Sequence, residues 1–272
     1  MAQLISASLT SAVEAIMRAA SDRAIVPRYR TLAAHEITDK ATDDVVTVAD
    51  HEAEAILTEK LTALLPEAAL VGEEAAHDDP SVLDALSGPL TWIVDPLDGT
   101  NNFAAGKPPF GMLVALAQHG DAIGGWILDS LTGRFCHASL GGGAFIDGEN
   151  VRSRASGGTP PVAAISLIFM DPAKREAVKA HIAPHYALVD IPRCAAEQYP
   201  RLVLGQNDVS IFDRTLPWDH AAGVLFLNEA GGKATRLDGS PYRADDYARP
   251  GMIGASTPAL WHELAERMEA MA

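Results

Sequence analysis

Apolar positions recur at helical spacing over residues 3–22 and again over residues 50–64, DHEAEAILTEKLTAL, where Ala53, Ile56, Leu57 and Leu61 form one stripe. Pro66 stops the second helix, and Asp50 and Glu52 favour its start by facing the positive end of the helix dipole. Short apolar runs at 69–72 (ALVG) and 90–94 (LTWIV) predict buried strands, and both run straight into acidic residues. Residues 111–118, 123–128 and 133–138 predict successive strands, with GDAIGG and DSLTGR as turns. In GGGAFIDGEN, residues 141–150, Asp147-Gly148 is a hairpin turn signal. This succession predicts an antiparallel sheet flanked by the first two helices.

The composition then shifts to SRASGGTPP at 153–161, which reads as a linker. Beyond it the pattern predicts a strand over 162–169, helices over 171–182 and 196–204, a strand over 208–213, and a helix over about 218–230 closed by Gly231-Gly232. The expected organisation is two packed halves. Residues 1–152 form an N-terminal α+β half with the antiparallel sheet, and 153–272 form a C-terminal α/β half.

Composition narrows the function classes. The chain has 272 residues, 48% hydrophobic and 21% charged, the balance of an ordinary globular protein. Its 21 Lys+Arg against 36 Asp+Glu leave a net charge of −15, which disfavours nucleic acid and anionic membranes as partners. Cys136 and Cys194 are the only cysteines, so neither a disulfide framework nor a thiolate zinc site is expected. With no signal-peptide pattern at its start and no long apolar run, the chain is expected in the cytoplasm.

Three segments share one design, an apolar strand or turn ending in carboxylates: LVGEE (70–74), TWIVDPLDGTNNF (91–103) and LPWDHAAG (216–223). In DPLDG, Pro96 fixes one dihedral and Gly99 permits a tight bend. The turn can then aim Asp95 and Asp98 at one point and leave the Leu97 carbonyl inward. Taken singly, each has a plain structural explanation. An Asp in such a turn can satisfy its own backbone, Glu73-Glu74 can be a solvated pair, and Asp219 can cap a helix. Together, and flanked by TWIV and LPW, they form a cluster that needs cations. Hard oxygen ligands suit magnesium better than zinc.

WIVDPLDGTNNF and PWDHAAGVLFLNEAGG resemble the two signatures of the inositol monophosphatase family. GEE at 72–74, the hairpin GGGAFIDG and DVVTVAD at 44–50 are similar to further elements of that family, in the same order and spacing. The resemblance implies a layered αβαβα sandwich of the inositol monophosphatase and fructose-1,6-bisphosphatase type, which hydrolyses a small phosphate monoester with two or three magnesium ions. It implies metal ligation by Glu73, Asp95, the Leu97 carbonyl, Asp98 and Asp219, with Glu74 supporting them from outside. Glu73, Thr100 and Asp50 would orient and deprotonate the attacking water. Asp98, Gly99, Thr100, Asn101 and Asp219 would contact the substrate. Lithium inhibition and a homodimer are also implied.

The segment that would choose the alcohol departs from the family pattern. Arg193-Cys194-Ala195-Ala196 stands where inositol-preferring members carry G-[ST]-A-A, and Phe212 stands at the spacing of their glutamate, with Asp213 one step away. Arg193, Cys194, Ala195 and Asp213 are the substrate-selecting candidates, with Arg193 either a salt-bridge residue at the core edge or a contact for a second anionic group. Alternatives to an inositol phosphate are histidinol phosphate, fructose 1,6-bisphosphate and a 3′-phosphoadenosine nucleotide. A role in binding RNA or the transcription machinery is a further alternative. Lys40, one residue closer to Asp44 than the family spacing, reads as a solvated helix-end residue, and His220 as structural.

Overall fold

The computed structural model describes residues 5–41 and 44–271. Helix α1 (Ala7–Ala20) starts where the Ser6 hydroxyl accepts the Leu9 N–H at 3.1 Å; the earlier start expected at residue 3 lies outside the described residues. A π turn over Ser21–Ile25 ends it. Strands β1 (Ile37–Ala41) and β2 (Asp44–Thr47) form a small antiparallel ribbon that the apolar pattern does not predict. Helix α2 (Val48–Leu64) begins two residues earlier than expected, because Thr47 caps it and Asp50 reaches back to the Thr47 N–H.

The next elements carry most of the acids. Strand β3 (Ala69–Gly72) runs into a short helix α3 (Glu73–Asp78), and strand β4 spans Thr91–Asp98 before a short helix α4 (Thr100–Ala104). The β-sheet continues through β5 (Gly111–Gln118), β6 (Asp121–Asp129), β7 (Phe135–Ser139), β8 (Gly143–Ile146) and β9 (Glu149–Val151). These make a seven-stranded sheet in the order β3-β4-β5-β6-β7-β8-β9, antiparallel throughout except for the parallel pair β3/β4. Asp147 and Gly148, at φ 50° and 83°, make the expected hairpin turn between β8 and β9.

The second sheet is built from β10 (Val162–Ile165), β11 (Ala187–Leu188), β12 (Val209–Phe212), β13 (Lys233–Thr235) and β14 (Met252–Ala255), in the order β11-β10-β12-β14-β13. Its helices are α5 (Pro172–His181), α6 (Ala195–Val203), α7 (Pro217–Glu229) and α8 (Pro258–Met271). Strand β10 stops four residues short of the expected 169, and β11, β13, β14 and α8 are additions to the sequence reading. The 153–161 segment is irregular yet fastened: Asp208 accepts the Ser156 and Val162 N–H groups, each at 2.7 Å.

Alternation along the strands sets the layers. Trp92, Val94, Met112, Val114 and Trp126 face α1 and α2 in one core, while Ile93, Leu113, Ala115, Ile127 and Ala138 face α6 and α7 in another. Helix α7 lies so close to β6 that a Cβ on Gly125 would stand 2.9 Å from the Ala222 backbone. Helices α6 and α7 also back the second sheet, where Leu202 and Leu227 meet Gly254. Its other face carries α5 and α8 through Val178, Ile182, Trp261 and Leu264. The result is a five-layer αβαβα sandwich with α6 and α7 in the middle. No helix among the described residues is long and apolar enough to cross a membrane.

Candidate active site

A cavity of about 330 Å³ opens between the two sheets, with the acids at one end. Asp95, Asp98 and Asp219 each offer an oxygen within 4.8 Å of those of the other two. Asp95 and Asp98 belong to the end of β4 and not to a free turn: Asp95 pairs with Leu113 and Asp98 with Gly111, with a register shift between them. That shift is the bulge that turns both carboxylates toward the cavity. Asp95 is held by the Leu97 N–H at 3.0 Å, and Asp98 by the Ala196 N–H at the start of α6, at 2.6 Å. Gly99 then takes φ 85°, which lets the chain enter α4 at once. Asp219 comes from the other side, in the first turn of α7, where Leu216 and not Asp219 is the N-cap residue.

Glu73 also lines the cavity, at the start of α3. Gly72 at the cap has no side chain, so Glu54 of α2 supplies the cap instead, accepting the Glu74 and Ala75 N–H groups at 2.9 and 2.8 Å. A Cβ on Gly72 would lie 2.4 Å from Glu54 Cδ. Lys40 contradicts its expected placement. It sits in β1, and its ammonium lies 2.7 Å from the Glu74 carboxylate and 3.4 Å from Glu73. Burial disfavours its charge, but those two carboxylates hold its pKa above the usual lysine value.

Asp50 is buried at the N-terminal turn of α2. Its Oδ2 accepts the Thr47 N–H at 2.8 Å and the Thr47 hydroxyl at 2.6 Å, and its Oδ1 lies 3.0 Å from Thr100 Oγ1. The Thr100 hydroxyl also stands 2.7 Å from the Leu97 carbonyl. That carbonyl keeps a second lone pair for a further partner.

Burial raises the cluster's carboxyls, and at Asp95 repulsion from neighbouring carboxylates comes next. Glu73 and Asp95 lie well above the usual range, Asp95 through burial and then the Glu73, Asp98 and Asp219 charges. Burial pushes Asp50 and Asp98 to about 6, against hydrogen bonds that favour their charged forms. Such a set holds protons or binds cations. Its donors are all hard oxygens, so the residues fit magnesium.

Arg193, which also lines the cavity, is exposed and takes φ 53°. It makes no ion pair among the described residues, so the salt-bridge alternative fails. Asp213 is tied to Lys174 in an ion pair. Cys194 is buried, its Sγ 3.7 Å from the Asp98 carbonyl, and Ala195 lines the cavity. His220 is structural: its Nε2–H donates to the Arg214 carbonyl at 3.1 Å, which leaves Nδ1 to accept the Tyr199 hydroxyl at 2.7 Å. Burial lowers its pKa to about 3, so the ring stays neutral.

The sequence reading missed Lys40, Thr47 and Glu54 as parts of this site. Asp50 and Glu54 stand four residues apart on the buried face of α2, a charged pair that the helical spacing does expose.

The inositol monophosphatase family profile matches residues 3–271. The chain belongs to the inositol monophosphatase family. That is a family of phosphoric monoester hydrolases. An inositol-1-monophosphatase of Rhizobium meliloti is 30% identical over 86% of this chain and 87% of that protein. The Nus factor SuhB of Vibrio cholerae is 30% identical over 82% of each. The chloroplastic phosphatase IMPL1 of Arabidopsis thaliana is 28% identical over 86% of this chain, which spans 64% of that longer protein. Among solved structures, the extragenic suppressor protein suhB of Bartonella henselae matches with a TM-score of 0.81, at 23% identity, over 97% of this chain and 99% of that one. That likeness shows the shared fold.

Proposed function

We propose that this chain hydrolyses a small phosphate monoester using two or three magnesium ions held by Glu73, Asp95, the Leu97 carbonyl, Asp98 and Asp219. The observation that carries the reading is the meeting of Asp95, Asp98 and Asp219 within 4.8 Å at the buried end of a cavity large enough for a metabolite. Magnesium bound there would offset phosphate charge and acidify a water molecule. In a protein of net charge −15, it would also draw an anionic substrate in.

The remaining roles fall to the chain. Asp50, fixed by Thr47, aligns the Thr100 hydroxyl, and together with Glu73 this pair receives the proton of the attacking water. Thr100 and Asn101, in the first turn of α4, line the cavity beside Asp98 and Gly99, where their backbone N–H groups would face a bound phosphate. Glu74, paired with Lys40, holds Glu73 in register. Cytoplasmic placement, a homodimer and inhibition by lithium belong to the same proposal.

Phosphate release with magnesium over inositol 1-phosphate, histidinol phosphate, fructose 1,6-bisphosphate and 3′-phosphoadenosine 5′-phosphate tests it. Turnover that vanishes with EDTA and in Asp95→Asn is the expected result, and magnesium-independent turnover would overturn it. The likeness to a Nus factor favours one second reading, binding of a basic protein partner of the transcription machinery. A pull-down with that partner, without turnover of any substrate, would support it.

A further inference from the structure

The remainder of the cavity wall is built differently from a site for a polyol. A ring of hydroxyls needs donors and acceptors on several sides, and each hydroxyl left facing an apolar wall loses its hydrogen bonds to water. Here several of the polar side chains that line the cavity are already engaged, and the Ser166 hydroxyl adds one further polar group. Asp213 is paired with Lys174, Gln198 donates to Ser210 Oγ at 2.7 Å, and both His220 nitrogens are occupied. The wall between them is apolar: Ile168, Phe169, Ile191, Pro192 and Phe212. Phe212 is locked in place, stacked on Tyr199 at 5.6 Å and edge-on to His220 at 4.9 Å.

Two arginines stand on the same rim. The Arg214 guanidinium lies 3.9 Å over the ring of Phe169, a half-exposed aromatic at the cavity mouth. Arg193 takes the left-handed conformation next to Pro192, whose carbonyl is pinned by Asn102 Nδ2 at 2.9 Å; the same amide holds the Pro109 carbonyl at 2.8 Å. The chain thus anchors to α4 the backbone that carries an exposed cation, in a conformation that a non-glycine residue adopts only under constraint.

We infer that the alcohol half of the substrate is a planar, largely apolar ring that lies along Phe212 and Phe169 and carries a second negative group bound by Arg193. This inference rests on the phosphatase reading of the acid cluster. Arg193 is a specificity residue, contacting the part of the substrate that leaves and not the phosphorus.

Three probes test it with the magnesium-loaded full chain: 4-carboxybenzyl phosphate (ring and second anion), benzyl phosphate (ring alone) and inositol 1-phosphate (neither). The expected order of kcat/KM is 4-carboxybenzyl phosphate, benzyl phosphate, inositol 1-phosphate, with steps of roughly tenfold. Arg193→Gln is expected to raise KM for the carboxylated probe to that of benzyl phosphate, with kcat held and benzyl phosphate unaffected. Phe212→Glu is expected to lower kcat/KM for both benzyl probes while improving inositol 1-phosphate. Equal or better turnover of inositol 1-phosphate by the wild type, or a matching loss on both benzyl probes in Arg193→Gln, overturns the inference and leaves the phosphatase reading standing. Release from none of the three leaves the phosphatase reading to the wider substrate panel, where absence of all turnover overturns it. Calorimetric titration then decides the inference by itself, since tighter binding of 4-carboxybenzyl phosphate than of inositol 1-phosphate supports it and the reverse order overturns it.

Discussion

Lys40 and Glu74 form an ion pair inside the protein, 2.7 Å apart, with only 7% and 5% of their side chains exposed. The pair closes the acid cluster on the side of the β1–β2 ribbon, and Lys40 reaches Glu73 as well. Lys40→Met leaves two carboxylates without their counter-charge. Breaking a buried pair in this way costs about 3–5 kcal/mol. Urea denaturation of the metal-free protein is expected to show that loss, and magnesium to recover part of it. An unchanged midpoint would mean that the pair is solvated in solution.

Asp95→Asn and Asp219→Asn are expected to reduce magnesium-dependent hydrolysis by at least ~10²-fold, the scale of losing one preorganised electrostatic contact in an active site. Asp95→Asn also removes one member of a buried set of mutually repelling carboxyls. The metal-free Asp95→Asn variant is therefore expected to melt higher than the metal-free wild type, and magnesium to stabilise it less. A variant retaining substantial turnover would remove that residue from the metal site.

The pH dependence follows from the raised carboxyls. Asp50 and Asp98 are pushed to about 6, and burial also raises Glu73 and Asp95 well above the ordinary carboxyl value, whereas an unfolded carboxyl titrates at ~4. The folded metal-free chain therefore binds more protons than the unfolded chain. This contribution to stability is complete below about pH 4 and is lost as pH rises through 6 and beyond. Magnesium competes with the same protons, so its binding strengthens over that interval. Melting curves at pH 5 and pH 8, with EDTA and with magnesium, should separate more widely at pH 8; an equal or smaller separation contradicts the assignment.

Thr47 caps α2 and holds Asp50 at once. Thr47→Val is expected to cost about 1–2 kcal/mol through the lost cap. It is also expected to lower kcat more than it raises KM, because Asp50 loses its anchor opposite Thr100. Kinetics unchanged beside a lowered stability would leave Asp50 a structural residue only.

Gly72→Ala would drive a Cβ into the Glu54 carboxylate that caps α3. Overpacking of this kind costs about 1–3 kcal/mol. Glu73 is the first residue of that helix, so a weaker apparent affinity for magnesium, read by titrating activity with the metal, should accompany the loss.

Much of the site could be read from the chain because its acids sit in short segments of unusual chemistry, DPLDG and PWDH, where spacing alone brings pairs together. The strand ending in Asp98 could be read only as far as Val94, because polar residues in extended backbone look like a turn until the pairing with Leu113 and Gly111 is known. The run VAAISLIF reads as one strand, yet β10 stops at Ile165 because Ser166, Ile168 and Phe169 turn aside to line the cavity. Hydrophobic pattern cannot distinguish a core from a cavity wall. Lys40 was opaque for another reason: its partners lie 33 and 34 residues away, and no local pattern records such a contact. The periodic Trp261, Leu264, Ala265 and Met268 of α8 were there to be read.

Helices α6 and α7 follow the 153–161 segment in sequence, yet they cover one face of the sheet that precedes it. A chain cut in that segment would leave Leu113, Ala115, Ala117, Ile127 and Ala138 as a bare sheet face. The first fragment should then clump when made alone and dissolve only when its complement is supplied in the same cell. For protein engineers, the irregular stretch at 153–161 is a tempting but false seam.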